Sequence, residues 1–167
     1  MQETIRNLAA AFTGESQARN RYNIYAKVAR DEGYEQIASI FEETSNQERT
    51  HAKKLMEMIQ QLKNKDLHYP EIEVTASVPN VWDTTAENLK AAIAGEHFEQ
   101  SEMYPSFATK ADEENLPEIA NRLRAIAKAE EHHEARYGKL LDLIEQDIVF
   151  KRAEKTWWCC RECGYIH

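Results

Sequence analysis

The chain has 167 residues, a net charge of −8 and 42% hydrophobic residues, which suits one domain able to bury a sizeable core. Five Gly and four Pro are too few for a sandwich, a barrel or a Gly-rich nucleotide fold, and the acidic balance argues against nucleic acid or a membrane as partner. No apolar run could span a bilayer and Met1-Gln2-Glu3-Thr4 does not open a signal peptide, so the three crowded cysteines read as a reduced, cytoplasmic metal or redox element.

Periodicity predicts four long helices. Residues 3–30 read as the first, stopped near Gly33, which suits the left-handed position after a helix. Residues 35–63 read as the second. Segment 64–84, with Pro70, Pro79 and the extended-looking Ile72-Glu73-Val74-Thr75, reads as a long connection holding His68. Thr84 followed by Glu87 suggests a capping box opening the third helix. Pro105 should kink that helix by removing a backbone hydrogen bond. Asn115-Leu116-Pro117 opens the fourth, which runs to about Gln146.

Core positions spaced three and four apart test this reading. They are Leu8, Phe12, Glu15, Arg19, Tyr22, Ala26 and Ala29 in the first helix, and Ile37, Phe41, Thr44, Glu48, His51, Leu55, Met58 and Leu62 in the second. The third offers Leu89, Ala92, Glu96, Glu99, Met103 and Ser106, with Tyr104 one position off the stripe. The fourth offers Ile119, Leu123, Ile126, Glu130, His133, Tyr137, Leu140 and Ile144. Four stripes, two hairpins and one long crossover predict an all-α four-helix bundle.

Each stripe is interrupted near its middle by Glu or His. A lone buried carboxylate is costly and would normally protonate. Five Glu and two His at similar heights share one explanation, metal ions, which carboxylate oxygens and neutral imidazoles ligate directly. Five carboxylates are nearly balanced by two divalent ions; one ion would leave too much charge. Glu48-x-x-His51 and Glu130-x-x-His133 each put both side chains on one helix face. Chance alone gives about 0.8 such pairs in a chain of this composition, so the signal lies in two pairs, both centred in apolar stripes and faced by Glu15 and Glu96. One Glu from each of two helices plus Glu-x-x-His from the other two is the pattern of ferritin-like di-metal bundles. Gly14-Glu15 and Gly95-Glu96 begin a weak internal repeat, broken where the third helix has Glu99 and the first has Ala18. His97 and His132 face away from the seam.

Residues 147–167 lose the helical pattern. Cys160-x-x-Cys163 followed by Gly164-Tyr165 looks like a metal knuckle, but a closed tetrahedral site needs four ligands. Cys159 has the wrong offset. His167 could ligate, and the chain stops there, before a second knuckle.

These motifs together resemble the rubrerythrin family: Gly14-Glu15-Ser16, Tyr22, Glu48-x-x-His51-Ala52, Gly95-Glu96 with Glu99, Glu102-Met103-Tyr104-Pro105, Glu130-x-x-His133 and Cys160-x-x-Cys163-Gly164-Tyr165. The resemblance implies a ferritin-like di-iron domain over 1–146, followed over 147–167 by a linker and a partial, apparently truncated rubredoxin-like segment. It implies a di-iron peroxidase that reduces hydrogen peroxide in oxidative-stress defence. Electrons would come from a rubredoxin or rubredoxin-type donor and its NAD(P)H-dependent reductase, in the cytoplasm, to a homodimer. By the family pattern Glu48 and Glu130 bridge two Fe ions, Glu15 and His51 serve one, and Glu96 and His133 the other. Glu99 would exchange with His51 as the redox state changes, and Tyr22 and Tyr104 would donate hydrogen bonds. Cys160 and Cys163 would hold one Fe or Zn ion if further ligands were supplied. Ferroxidase or iron-storage activity, or a non-enzymatic metal-binding role, is the alternative.

Overall fold

The computed structural model describes residues 3–63 and 71–167. Helix α1 spans Glu3–Asp31 and α2 spans Glu35–Lys63. A single continuous helix follows in three parts: α3 over Thr85–Phe98, one π-helical turn over Glu99–Met103, and α4 over Tyr104–Glu113. Helix α5 spans Pro117–Glu145. Counting the interrupted helix once, this is the expected four-helix bundle. Among the described residues the only β pairing is an isolated bridge between Cys159 and Ile166. No described helix is long and apolar enough to cross a membrane. His68 and Pro70 lie outside the described residues.

Helix ends follow local chemistry. Gly33 takes φ +88°, and the Tyr34 amide donates back to the Ala29 carbonyl at 2.8 Å, which closes α1 and turns the chain into α2. Thr84 caps α3 by accepting from the Glu87 amide at 3.4 Å. Only half of the expected box forms, because the Glu87 carboxylate pairs with Lys90 instead. Pro117 occupies the first turn of α5, where its missing N–H costs nothing.

Just before Pro105 the helix takes a π turn. The Tyr104 amide reaches back five residues to the Glu99 carbonyl. A π turn inserts one extra residue into the helix. That insertion rotates everything after it by one position. Met103 and Ser106, expected in the core, become half-buried and exposed, and Tyr104, Ala108 and Ala111 are buried instead. In α1 the expected core residue Arg19 is exposed and its neighbour Ala18 is buried.

Two apolar clusters hold the bundle. One contains Ile5, Leu8, Leu55, Met58, Leu62, Ala108 and Leu123; the other contains Tyr25, Ala29, Ile37, Phe41, Leu89, Tyr137 and Leu140. Each fully buried large apolar side chain stabilises by about 1.5–3 kcal/mol. Between them lies a layer of buried Glu15, Glu48, Glu96, Glu130 and His133, whose burial opposes folding unless it is compensated. The clusters thus supply the stability, and the layer between them exists for its chemistry.

Candidate metal centre

Four helices deliver the polar layer. Glu15 comes from α1, Glu48 and His51 from α2, Glu96 from α3, and Glu130 and His133 from α5. Their ligand atoms fall into two sets, each within 4.8 Å: Glu15, Glu48, His51 and Glu130, and Glu48, Glu96, Glu130 and His133. Glu48 and Glu130 belong to both. The His51 Nδ1 lies 2.9 Å from Glu130, 3.1 Å from Glu48 and 3.6 Å from Glu15. His133 Nδ1 lies 2.8 Å from Glu130, 3.2 Å from Glu48 and 3.4 Å from Glu96. The two imidazoles face one another with ring centroids 6.0 Å apart.

The donor set fits two cations. Oε2 of Glu15, Oε1 of Glu48, Oε2 of Glu96, both oxygens of Glu130 and Nδ1 of His133 are buried without a hydrogen-bond partner. Six orphaned polar atoms converging on one layer would be very costly as a packing accident. They are the hard oxygen and imidazole nitrogen donors that iron-type ions bind.

Electrostatics point the same way. Burial pushes the Glu15 carboxyl well above its ordinary range, helped by the charges of Glu48 and Glu130. Burial likewise raises Glu96 to about 8, against the opposing pull of the His133 imidazole 3.4 Å away. Burial would raise Glu48 too, but the facing His133 and His51 imidazoles hold it at about 2. Burial would lower both imidazoles, yet the facing carboxylates win. His133 rises to about 11 and His51 is driven well above its usual range. With only protons to balance it, the layer gathers them; it is a site that demands positive charge.

Tyr22 and Tyr104 complete the site as a crossed pair. The Tyr22 hydroxyl on α1 donates to Oε1 of Glu96 on α3, and the Tyr104 hydroxyl on α4 donates to Oε1 of Glu15 on α1. Both rings are buried. Tyr22 lies seven residues after Glu15, and Tyr104 lies eight after Glu96. The π turn supplies the extra residue that makes the two tyrosines equivalent. The sequence reading placed Tyr104 off the stripe because that reading assumed an unbroken α-helix.

Glu99 begins the π turn and is only half-buried. It belongs to neither set of ligand atoms. Its Oε1 lies against Gly14, 3.9 Å from where a Cβ would stand. Burial raises its carboxyl well above the usual range, followed by the charges of Glu96, Glu130 and Glu48, with Arg21 opposing. His97 and His132 are exposed, as expected from their register.

The sequence reading missed Gln47 and Arg136. Nε2 of His133 lies 3.0 Å from Oε1 of Gln47, which also accepts from Arg136. Nothing in residue type or spacing marks a glutamine beside Glu48 as a partner of a histidine on another helix.

The C-terminal residues form a tight knuckle. Gly164 takes φ +74°, its amide donates to the Cys160 carbonyl at 2.8 Å, and the Cys160 amide donates to the Tyr165 carbonyl at 2.7 Å. Trp158 and His167 exchange two backbone hydrogen bonds. The amides of Cys163 and Glu162 lower the Cys160 thiol below its ordinary value. All three cysteines are exposed. Among the described residues no third ligand converges on Cys160 and Cys163. The knuckle rests on α2 through a hydrogen bond from Arg161 to Ser39.

Comparison with known proteins decides the family. The sequence model of the Rubrerythrin family matches residues 6–141. The chain belongs to the rubrerythrin family. A Methanocaldococcus jannaschii protein named for that family is 54% identical, over 100% of this chain and 83% of its own length. Rubrerythrins of Porphyromonas gingivalis and Nitratidesulfovibrio vulgaris are 48% and 46% identical, each over 98% of this chain and 78% and 82% of theirs. The fully reduced, all-ferrous structure of nigerythrin superposes with a TM-score of 0.74 at 32% identity, covering 98% of this chain and 76% of that one. The bundle is therefore ferritin-like, and the Glu/His layer is the family's di-iron site, with donors able to hold two metal ions.

Proposed function

We propose that the protein is a rubrerythrin-type peroxidase that reduces hydrogen peroxide to two waters, taking up two electrons and two protons, with a rubredoxin-type protein as donor. The observation that supports this best is the pair of four-residue ligand sets sharing Glu48 and Glu130, flanked by two buried phenols and one further carboxylate. In this reading Glu15 and His51 would hold one iron and Glu96 and His133 the other, with Glu48 and Glu130 contributing to both donor sets. The irons, when bound, supply the two electrons that cleave the O–O bond.

The chain's own groups do the rest. Tyr22 holds Glu96 and Tyr104 holds Glu15 in fixed orientations, so the ligands are set before substrate enters. The apolar clusters on either side exclude water, which strengthens every charge interaction in the layer. Glu99 has a raised affinity for protons, partial solvent access and no ligand partner in this arrangement. It can carry a proton at its carboxylate toward the departing oxygen, or move against the His51 side as that imidazole moves away. At Cys160 and Cys163, whose thiols face solvent, an Fe or Zn ion would be held only with further ligands supplied from elsewhere. A homodimer is the expected assembly.

The test is stopped-flow mixing of the anaerobically reduced, iron-loaded protein with hydrogen peroxide or with dioxygen. Oxidation that is faster with peroxide, one peroxide consumed per chain, and turnover sustained by reduced rubredoxin are expected. Faster oxidation by dioxygen with iron retained as a mineral would replace this reading with iron storage.

A further inference from the structure

We infer that Gln47 and Arg136 are positioning residues that lock the His133 imidazole with its Nδ1 toward the carboxylates. The inference rests on the two-metal reading of the site, and not on peroxide as substrate.

Arg136 lies on α5. Its guanidinium donates to Oε1 of Glu43 at 2.9 Å and to Oγ1 of Thr44 at 2.6 Å. It also donates to Oε1 of Gln47 at 3.3 Å. The Thr44 hydroxyl donates to the Ile40 carbonyl at 2.9 Å, so toward Arg136 it can only accept. The Glu43 carboxylate, drawn below its usual range by the hydrogen bond from Arg136, also accepts from Nε2 of Gln47 at 3.2 Å. These contacts settle which way the Gln47 amide faces. Turned over, it would set an NH₂ against the guanidinium, donor against donor, and its oxygen against a carboxylate.

With its oxygen fixed, Gln47 can only accept from Nε2 of His133, 3.0 Å away. That nitrogen therefore keeps its proton when the imidazole is neutral. The lone pair falls on Nδ1, the atom that faces Glu48, Glu96 and Glu130. A guanidinium outside the layer thus chooses the ligating nitrogen inside it. His51 has no equivalent: no hydrogen bond to its Nε2 is found among the described residues. The two halves of a near-symmetric site differ in this respect.

The test uses the full chain loaded with Zn(II), which is diamagnetic, and reads the imidazole ¹⁵N shifts and stepwise Zn(II) affinities. In wild type, His133 should show Nδ1 metal-bound and a slowly exchanging Nε2–H. Gln47→Leu removes the acceptor at similar size. It should speed exchange of that proton and weaken the second Zn(II) equivalent by about 10–100-fold, the usual effect of losing such a partner. Gln47→Glu keeps an acceptor and should restore both readouts, which general loosening of the fold would not allow. If Gln47→Leu fails to fold, Arg136→Met frees the same amide from its other end and should reproduce the effect. Unchanged shifts and affinities in a folded Gln47→Leu or Arg136→Met protein would overturn the inference, as would a wild-type protein with Zn(II) on Nε2 of His133. Peroxide inactivity with normal Zn(II) readouts would instead count against the peroxidase reading alone.

Discussion

Loading the site with two divalent ions should expel protons, and the structure sets how many. Free of metal at pH 7, His133, raised to about 11, and His51, raised further, both carry the extra proton. Glu96 at about 8 is mostly protonated, and burial shifts Glu15 in the same direction. Glu48, near about 2, contributes none. These metal ligands must give up their protons, so about three should leave per chain from His133, His51 and Glu96. The sign follows. These groups bind protons only in the metal-free state, so affinity rises with pH through the neutral range. The overall binding constant should climb by about three decades per pH unit near neutrality. Anaerobic titration with Zn(II) or Fe(II), run by calorimetry in buffers of different ionisation enthalpy, counts the protons directly. Release of one proton or fewer, or binding independent of pH between 6 and 8, would refute the electrostatic account of the layer.

Other perturbations separate the parts of the site. Glu48→Ala removes an oxygen donor common to both sets, so metal analysis should find fewer than two ions per chain, with neither held at wild-type affinity. Tyr22→Phe deletes the hydroxyl that satisfies Oε1 of Glu96. The metal-free protein should lose about 1–3 kcal/mol in urea denaturation, the usual cost of a buried group left unpaired. Glu99→Ala should leave both ions bound, because its carboxylate lies outside both sets, while slowing peroxide reduction in stopped flow and altering the di-ferric spectrum. Gly138 sits within α5 with nothing within 4 Å of a would-be Cβ; Gly138→Ala should stabilise by about 0.5–1 kcal/mol through helix propensity, leaving metal content unchanged.

The sequence alone determined the helices and most of the site. A bundle buries one stripe per helix, so the three-four spacing of apolar residues reports the fold. Glu or His inside such a stripe has no inexpensive explanation except a ligand. Glu15, Glu48, His51, Glu96, Glu130 and His133 stood out for that reason, and the structure brings their ligand atoms together. What the stripe could not carry was anything that changes phase or crosses between helices. The π turn at Glu99–Met103 adds one residue, and only the packed bundle shows that Tyr104, not Met103, then faces Glu15. Arg19 and Ala18 both satisfy the three-four spacing, and only the packed bundle shows that Ala18 faces inward and Arg19 outward. Gln47 and Arg136 lie on α2 and α5, and their hydrogen bonds with His133 arise from how those two helices meet. Periodicity records which face of a helix is buried; it holds no information on what a partner helix places opposite that face, and the orientation of a ligand is decided there.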